Sequence, residues 1–156
     1  MVGISLALGV DVAPVRTLVQ APGTAMRMNA EHFHAAFQQC LPLQRELYRY
    51  ACAKLALARQ TIACIRFHAI EARLARWLLM TGERVLSEKF FLTQDFLGDM
   101  LGVRRSTINV AAVALQRRKL IRYSRGNVRI LDRKRLEAVS CRCYTRIESD
   151  RRRSPQ

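Results

Sequence analysis

The chain has 156 residues, a formal net charge of +15 at pH 7 and a sequence pI near 10.9. No stretch is apolar for long enough to span a bilayer, and the length fits one or two small domains. Residues 104–156 hold 16 Lys/Arg against 4 Asp/Glu, whereas residues 1–103 hold 11 against 8. This asymmetry indicates a polyanionic partner, most simply nucleic acid, although charge alone does not separate DNA from RNA or an anionic membrane.

The first 28 residues alternate short apolar runs with turn signals at Pro14 and at Ala21-Pro22-Gly23. This pattern predicts three short strands, the end of a larger sheet that is too small to close by itself. The opening MVGISLALGV lacks the basic start and cleavage site of a signal segment, so we interpret it as a buried strand. Asn29 is a suitable N-cap for a short helix, AEHFHAAFQQC.

A long helix is predicted over residues 43–67, which contain no Gly or Pro and follow Pro42. Its apolar residues repeat with the 4, 3, 4, 3 spacing of a coiled-coil seam. A second apolar line on the same helix suits packing within the chain, which leaves the seam for a second copy; a single buried core helix is the alternative. The predicted dimer seam consists of Ala51, Leu55, Ala58, Ile62 and Ile65.

The following helix, residues 68–84, is predicted to use Trp77 as a core anchor and to turn Arg73 and Arg76 outward. After a short strand at residues 90–92, residues 93–118 predict two helices joined by a tight turn. Gly98 allows the two backbones to approach closely, and Gly102 tolerates the positive φ of the turn. This is the layout of a helix-turn-helix, which places its second helix in the DNA major groove; an ordinary helical hairpin is the alternative.

The predicted recognition helix directs four side chains outward near its start, where Arg favours guanine edges, Asn favours adenine and Val can touch a thymine methyl. The predicted base-reading residues are Arg105, Ser106, Asn109 and Val110. Residues 121–130 then alternate apolar and basic side chains around a Ser-Arg-Gly-Asn turn, with Gly126 and Asn127 as the positions suited to positive φ. Directly after a helix-turn-helix, we interpret this hairpin as a wing rather than a solvated edge. The predicted phosphate contacts are Thr93, Gln94, Arg104, Thr107, Arg122, Arg125 and Arg129.

No catalytic residues are expected, because the sequence shows no Ser/His/Asp set, no phosphate-binding Gly loop and no paired carboxylates on one face. The five cysteines show no pairwise spacing typical of zinc, and their odd number argues against a disulfide framework. We therefore expect no metal and no cofactor, with redox sensing at Cys141 and Cys143 as a weaker alternative. Asp132 is a suitable cap for a short last helix, and the arginine-rich tail from Thr145 is expected to be disordered.

The ordered run of FHAIEARLARWLLM, FFLTQDFLGDMLGVRRSTINVAAVALQRRKLI and RYSRGNVRIL resembles the Crp/Fnr family of bacterial transcription regulators over residues 65–131. The resemblance implies an N-terminal effector-binding β-roll, a long dimer helix and a C-terminal winged helix-turn-helix. Weaker similarity over residues 1–40 implies that the chain begins well inside the roll, so that most of the sensory domain is absent.

Two departures limit what the resemblance implies. Members that bind cyclic nucleotide use a Gly-Glu and a later Arg-Ser or Arg-Thr, whereas here Ile4 follows Gly3 and the later stretch reads Ala13-Pro14-Val15. We therefore expect no cyclic nucleotide binding, and the cysteine cluster of iron–sulfur members is also missing. Family members commonly carry Glu at the position of Ser106 and often Arg at that of Val110, so Arg105 is the base-reading residue that transfers best.

The predicted fold is mainly α with small β elements: a β-roll remnant with a short helix (1–40), a dimerisation helix (41–67), a winged helix-turn-helix domain (68–144) and a basic tail (145–156). The predicted function is a cytoplasmic, nucleoid-associated regulator that binds a pseudo-palindromic operator in double-stranded DNA as a homodimer. RNA polymerase is a further partner that the resemblance implies. The alternatives are a winged-helix protein- or RNA-interaction module and a shortened, effector-free protein that binds DNA without specificity.

Overall fold

The computed structural model describes residues 1–13, 15–19 and 23–145. The chain divides into two compact units, Met1–Leu57 and Ala58–Gln156. Pro14 and the first two residues of the predicted turn at 21–23 lie outside the described residues, as does the predicted disordered tail beyond Thr145. No helix in the described part of the chain is long and apolar enough to cross a membrane.

The described residues form six α-helices and one three-stranded sheet, which confirms the mainly helical fold class. In chain order the elements are α1 (Ala30–Gln39), α2 (Leu41–Phe67), α3 (Ile70–Val85), β1 (Lys89–Phe91), α4 (Gln94–Leu101), α5 (Arg105–Arg117), β2 (Ile121–Ser124), β3 (Asn127–Ile130) and α6 (Arg133–Val139). The predicted domain boundaries stay predictions.

The first unit does not contain the three predicted strands. Within its described residues, the only regular structure before α1 is a 3-10 helix, Ile4–Leu8, flanked by Gly3 and Gly9, which both adopt positive φ. A strand needs a neighbouring strand to satisfy its backbone groups, and no other described segment of this unit is extended and paired. The apolar side chains of this turn instead pack on helices, since Ala7 joins a small core with Phe33 and Leu47.

The start of α1 confirms the predicted cap. The Asn29 side chain accepts a hydrogen bond from the backbone N–H of His32 at 2.8 Å, which satisfies one of the free donors at the helix start. The long helix α2 begins at Leu41, so Pro42 lies in its first turn, where the missing N–H of proline carries no penalty.

The core of the second unit is formed where α3 packs on α5 and α6. Leu78 of α3, Ile108 of α5 and Leu136 of α6 are fully buried. Each such side chain stabilises the unit by about 1.5–3 kcal/mol relative to exposure. This core supports α4, α5 and the sheet, which carry the candidate site.

Candidate nucleic-acid interface

The helix-turn-helix is built from α4 and α5, and local chemistry explains each boundary. Thr93 begins α4, because its hydroxyl accepts a hydrogen bond from the N–H of Phe96 at 3.2 Å. Gly102 ends the helix with φ of 63°, a left-handed conformation that glycine adopts without steric cost. Arg104 then precedes the first residue of α5, Arg105. The predicted bounds of both helices are therefore confirmed within one or two residues.

Gly98 is the point where α4 approaches the turn most closely. A Cβ built on this residue would lie 2.8 Å from the backbone carbonyl oxygen of Val103, nearer than real Cβ atoms approach an oxygen. The backbone N–H of Val103 in turn donates to the carbonyl of Gly98 at 3.0 Å. The absence of a side chain at this position thus allows the close packing of the motif.

The outer face of α5 presents all four predicted base-reading residues to solvent. Arg105, Ser106, Asn109 and Val110 are exposed, and the Val110 side chain retains 67% of its accessible surface. The opposite face of the helix is buried through Ile108 and Ala111. Helical spacing therefore separates a packed face from a free face on α5.

Two contacts connect α4 to the exposed face of α5. The guanidinium of Arg105 lies 3.8 Å from the carboxylate of Asp95, and both side chains are about two-thirds exposed. Such an exposed pair contributes about 0–1 kcal/mol, so Arg105 is only loosely held. The side-chain amide of Gln94 donates to that of Asn109 at 3.1 Å, which orients Asn109.

The three strands form an antiparallel sheet in the order β1-β3-β2. Arg129 of β3 pairs in register with Lys89 of β1 on one side and with Arg122 of β2 on the other. All three side chains are exposed, so they form a row of cations across one face of the sheet, which we call the basic row. Like charges directly opposite each other destabilise a sheet, and a bound polyanion would relieve this repulsion.

The turn of the wing differs in detail from the prediction. Positive φ occurs at Arg125 and Gly126, at 49° and 82°, whereas Asn127 is the first residue of β3. Two successive positive φ values are those of the two-residue hairpin turn that matches strand twist, and they place Arg125 at the exposed tip. A Cβ on Gly126 would also lie 2.5 Å from the exposed Phe91 ring, so a side chain there would require that ring to shift.

Tyr123 joins the wing to the start of α4. Its hydroxyl donates to the carbonyl of Leu92 at 2.6 Å, and its backbone N–H donates to the side chain of Gln116 at 2.9 Å. Burial, with the nearby Asp95 carboxylate as a smaller cause, raises the pKa of Tyr123 to about 12. The neutral phenol is therefore the form that holds the wing against the helix-turn-helix.

Residues 72–139 match the family model of the Crp-like helix-turn-helix domain. We call this segment the Crp-like domain. The match begins in α3 and ends with α6, and it confirms the resemblance to Crp/Fnr transcription regulators, with their DNA-binding fold, for this part of the chain.

Two solved structures are similar to a large part of this chain. A protein assigned to the Crp/Fnr family of transcriptional regulators, from Eubacterium rectale, is 24% identical over 70% of this chain, with a TM-score of 0.57. The catabolite activator protein of Thermus thermophilus is 23% identical over 71% of this chain, with a TM-score of 0.44. The chain spans 51% and 52% of these two proteins, about half the length of each. No curated protein sequence is significantly similar to the chain.

The predicted phosphate contacts around the Crp-like domain occupy three places. Thr93 and Gln94 lie at the start of α4, Arg104 and Thr107 lie at the start of α5, and the wing carries Arg122, Arg125 and Arg129. Thr93, Arg104 and the three wing arginines are exposed, while Gln94 and Thr107 are half-buried. The basic row adds Lys89, which the sequence pattern did not indicate because its partner strand lies about forty positions later in the chain.

Arg73 and Arg76 are not on the outer side of α3, where the sequence placed them. They are only 5% and 2% exposed. Arg73 donates from its guanidinium to the carbonyl of Leu101, so its charge lies at the negative C-terminal end of α4. This interaction lets a charged side chain enter the core of the Crp-like domain, and helical periodicity alone does not reveal it. Trp77, the predicted core anchor, is half-buried.

Arg133 is a further residue whose role the sequence did not indicate. Its guanidinium bonds to the carboxylates of Glu83 at 2.7 Å, Glu137 at 3.1 Å and Glu88 at 3.2 Å, and to the hydroxyl of Tyr144 at 3.1 Å. This network joins the start of α6 to the end of α3. It therefore ties α6 and the residues that follow it to α3.

The predicted dimer seam along α2 has large apolar side chains in solvent. Leu55, Ile62 and Ile65 retain 60%, 68% and 47% of their accessible surface, Ala58 is exposed and Ala51 is half-buried. Of the second apolar line on this helix, Leu47 is buried against its own unit. The described residues of the chain therefore leave the seam uncovered.

Proposed function

We propose that this chain is a sequence-specific transcription regulator that binds a pseudo-palindromic site in duplex DNA as a homodimer. The observation that carries the proposal is the exposed face of α5, with Arg105 and Asn109, on a chain whose wing presents three exposed arginines. A recognition helix needs free donors at its outer face and cations beside it, and these residues supply both.

Arg105 is the residue we propose to read a base. Its ion pair with Asp95 is long, at 3.8 Å, and exposed, so little free energy opposes the transfer of Arg105 to a guanine edge. The guanidinium can then donate two parallel hydrogen bonds to O6 and N7 of guanine, which discriminates against other bases by about 1–3 kcal/mol. Asn109, oriented by Gln94, is the candidate for an adenine.

Phosphates would be held at the helix starts and by the wing. The N-terminal ends of α4 and α5 carry partial positive charge and free N–H groups, which suits contacts from Thr93, Gln94, Arg104 and Thr107. The wing arginines at 122, 125 and 129 would follow the backbone beside the groove. These phosphate contacts would fix the position of the protein on the duplex, and they would not distinguish one base sequence from another.

The homodimer is proposed from the exposed seam on α2. Soluble monomers rarely leave a continuous line of Leu and Ile in water, and a 4-3 spacing suits a parallel helix pair. Two copies would present two recognition helices about 34 Å apart, which matches half-sites one turn apart on one face of the duplex. We propose that this occurs without cyclic nucleotide, because Ile4 stands where the family's binding members use Glu.

Selection of bound duplexes from a random DNA pool at two salt concentrations tests the proposal. We expect an inverted repeat to be enriched at both salt concentrations. Salt-sensitive binding without an enriched motif would contradict sequence specificity and would indicate a non-specific basic protein.

The variant Arg105→Ala should lose the preference at one base pair per half-site while the remaining positions of the motif persist. Arg118→Ala is a matched control, because it removes one exposed arginine just beyond the other end of α5. We expect this control to keep the motif. An equal loss of binding to every sequence in Arg105→Ala would show that Arg105 contacts phosphate instead of a base.

A further inference from the structure

Three cysteines and one histidine that are far apart in the sequence converge in the second unit. One thiol atom from each of three cysteines and one ring nitrogen lie within 4.8 Å of one another. The four residues, which we call the thiol cluster, are Cys64, His68, Cys141 and Cys143. None of the four has a part in the proposed DNA binding.

Two chain segments bring the thiol cluster together. Cys64 and His68 are one helical turn apart at the end of α2, where the backbone N–H of His68 donates to the carbonyl of Cys64 at 3.1 Å. Cys141 and Cys143 follow α6, and the backbone N–H of Cys141 donates to the carbonyl of Ala72 in α3. Cys141 and Cys143 are buried, at 5% and 3% exposed, whereas Arg142 between them is exposed.

The distances within the cluster resemble those of a tetrahedral zinc site. The sulfurs of Cys64 and Cys141 are 3.5 Å apart, and the sulfur of Cys143 is 3.5 Å from Nδ1 of His68. Zinc bonds of about 2.3 Å to sulfur and about 2.05 Å to nitrogen give tetrahedral edges of about 3.8 Å and 3.6 Å. Even the widest separation, 4.8 Å, reaches such an edge by a shift of about 1 Å.

Neighbouring donors and charge also suit bound thiolates. The side-chain amide of Gln60 donates to the sulfur of Cys143 at 3.0 Å, as an outer hydrogen bond to a metal-bound thiolate would. Arg76 is 2% exposed, two of its nitrogens have no acceptor among the described residues, and its charge acts on both Cys64 and Cys141. Three thiolates and one Zn²⁺ carry a net charge of −1, which would compensate the buried guanidinium.

We propose that the thiol cluster is a closed structural zinc site, with the ligands Cys64, His68, Cys141 and Cys143. Four protein ligands leave no open position for water or substrate, which is the pattern of a structural rather than a catalytic zinc. The ion would tie residues 141–145 to the end of α2 and the start of α3. Sequence spacing did not indicate this site because Cys64 and Cys141 are 77 positions apart. Binding would replace the three thiol protons with one metal ion, so it releases protons and strengthens with pH.

Titration of the reduced, metal-free full chain with Co²⁺ tests the site. We expect thiolate-to-cobalt charge transfer in the near ultraviolet and visible d–d bands of a tetrahedral site, saturating at one cobalt per chain. Zn²⁺ should then displace cobalt and abolish both features. A folded chain that binds cobalt without these bands would overturn the proposal.

The variants His68→Ala and Cys143→Ser should weaken cobalt binding at least tenfold, while Cys52→Ser, which alters an exposed cysteine, should leave it unchanged. Because His68 is half-buried and its loss keeps three sulfurs, this variant tests the site even where Cys143→Ser does not fold. Equal cobalt binding by His68→Ala and the wild type would remove His68 from the ligand set and contradict the site.

The number of reactive thiols gives an independent measurement. In the zinc-loaded chain we expect only the exposed Cys40 and Cys52 to react rapidly with a thiol reagent, and we expect the three buried cysteines to react faster once a chelator has removed the metal. A chain with no zinc and a Cys64–Cys141 disulfide, identified by peptide mass spectrometry, would instead establish a redox pair and overturn the proposal.

Discussion

Gly98 is the residue at which the geometry of the helix-turn-helix is most sensitive to one added atom. In Gly98→Ala the new methyl would lie 2.8 Å from the Val103 carbonyl oxygen, which is backbone and cannot rotate away. Although alanine favours a helix over glycine by about 1 kcal/mol, we expect a net loss of about 1–3 kcal/mol in the free energy of unfolding. Urea-induced unfolding of the wild type and the variant measures this difference in the free energy of unfolding. Asp99→Ala, at the next, exposed position, should change the free energy by less than about 0.5 kcal/mol, and equal values for both would contradict the close approach.

The phenol of Tyr123 predicts how stability changes at alkaline pH. Its folded pKa of about 12 lies above the unfolded value of about 10, so the folded state favours the protonated form. This contribution is fully present below about pH 10 and is lost as pH rises from 10 to 12, by about 2 kcal/mol in total. Unfolding measured across that range should show the decline.

Tyr123→Phe is the control for this titration. It removes the hydrogen bond to Leu92, which costs about 1 kcal/mol near neutral pH, but it has no phenol to ionise. Its stability should therefore fall less steeply than that of the wild type between pH 10 and 12. Parallel curves for the two proteins would assign the decline to other groups.

At the scale of elements, side-chain chemistry within a few residues was enough to predict where α1, α4 and α6 begin. Asn29, Thr93 and Asp132 each accept a backbone hydrogen bond at a helix start, as their residue types indicate. Gly102 ends α4 for an equally local reason. Helix ends depend on such local contacts, so one sequence reveals them.

The failed predictions depend on contacts between distant residues. Apolar alternation in residues 1–28 predicts strands, but the structure shows a 3-10 helix at Ile4–Leu8 because these side chains pack on α1 and α2. Arg73 is buried because a carbonyl 28 positions away accepts from it. The thiol cluster has the same origin, since its halves lie on α2 and after α6. The spacing of residues along the chain does not indicate the 3-10 helix, the burial of Arg73 or the thiol cluster.

The exposed seam on α2 is the element that we expect to form the dimer interface. Leu55→Asp together with Ile62→Asp places two carboxylates on the exposed apolar line, where a second helix would have to bury them. We expect a dimer in wild type and a monomer in the double variant by sedimentation equilibrium. Ala53→Asp is the control, because Ala53 is exposed but lies on the opposite side of the heptad. A dimer that persists in the double variant would place the interface elsewhere.

Across the whole molecule, the excess positive charge is concentrated in residues 104–156, and the proposed DNA contacts use only part of it. Each phosphate neutralised on binding releases counterions and adds about 0.9 to the slope of log affinity against log salt. The salt slope therefore measures the number of phosphate contacts. The affinity at a single salt concentration also includes the long-range attraction between the basic protein and DNA. We expect the wing arginines to affect the salt slope, and the cations of the first unit to affect only the affinity at low salt.

Two triple variants with the same change of net charge separate these contributions. Replacing Arg122, Arg125 and Arg129 by Gln should reduce the salt slope by about 2–3, because three phosphate contacts are lost. Replacing Arg16, Arg27 and Arg45, which are also exposed but lie in the first unit, should leave the slope nearly unchanged and lower affinity only at low salt. Binding isotherms on one duplex at four salt concentrations give both slopes. Equal slopes for the two variants would mean that the hairpin acts through its charge at a distance, and that it does not lie against the DNA backbone as a wing.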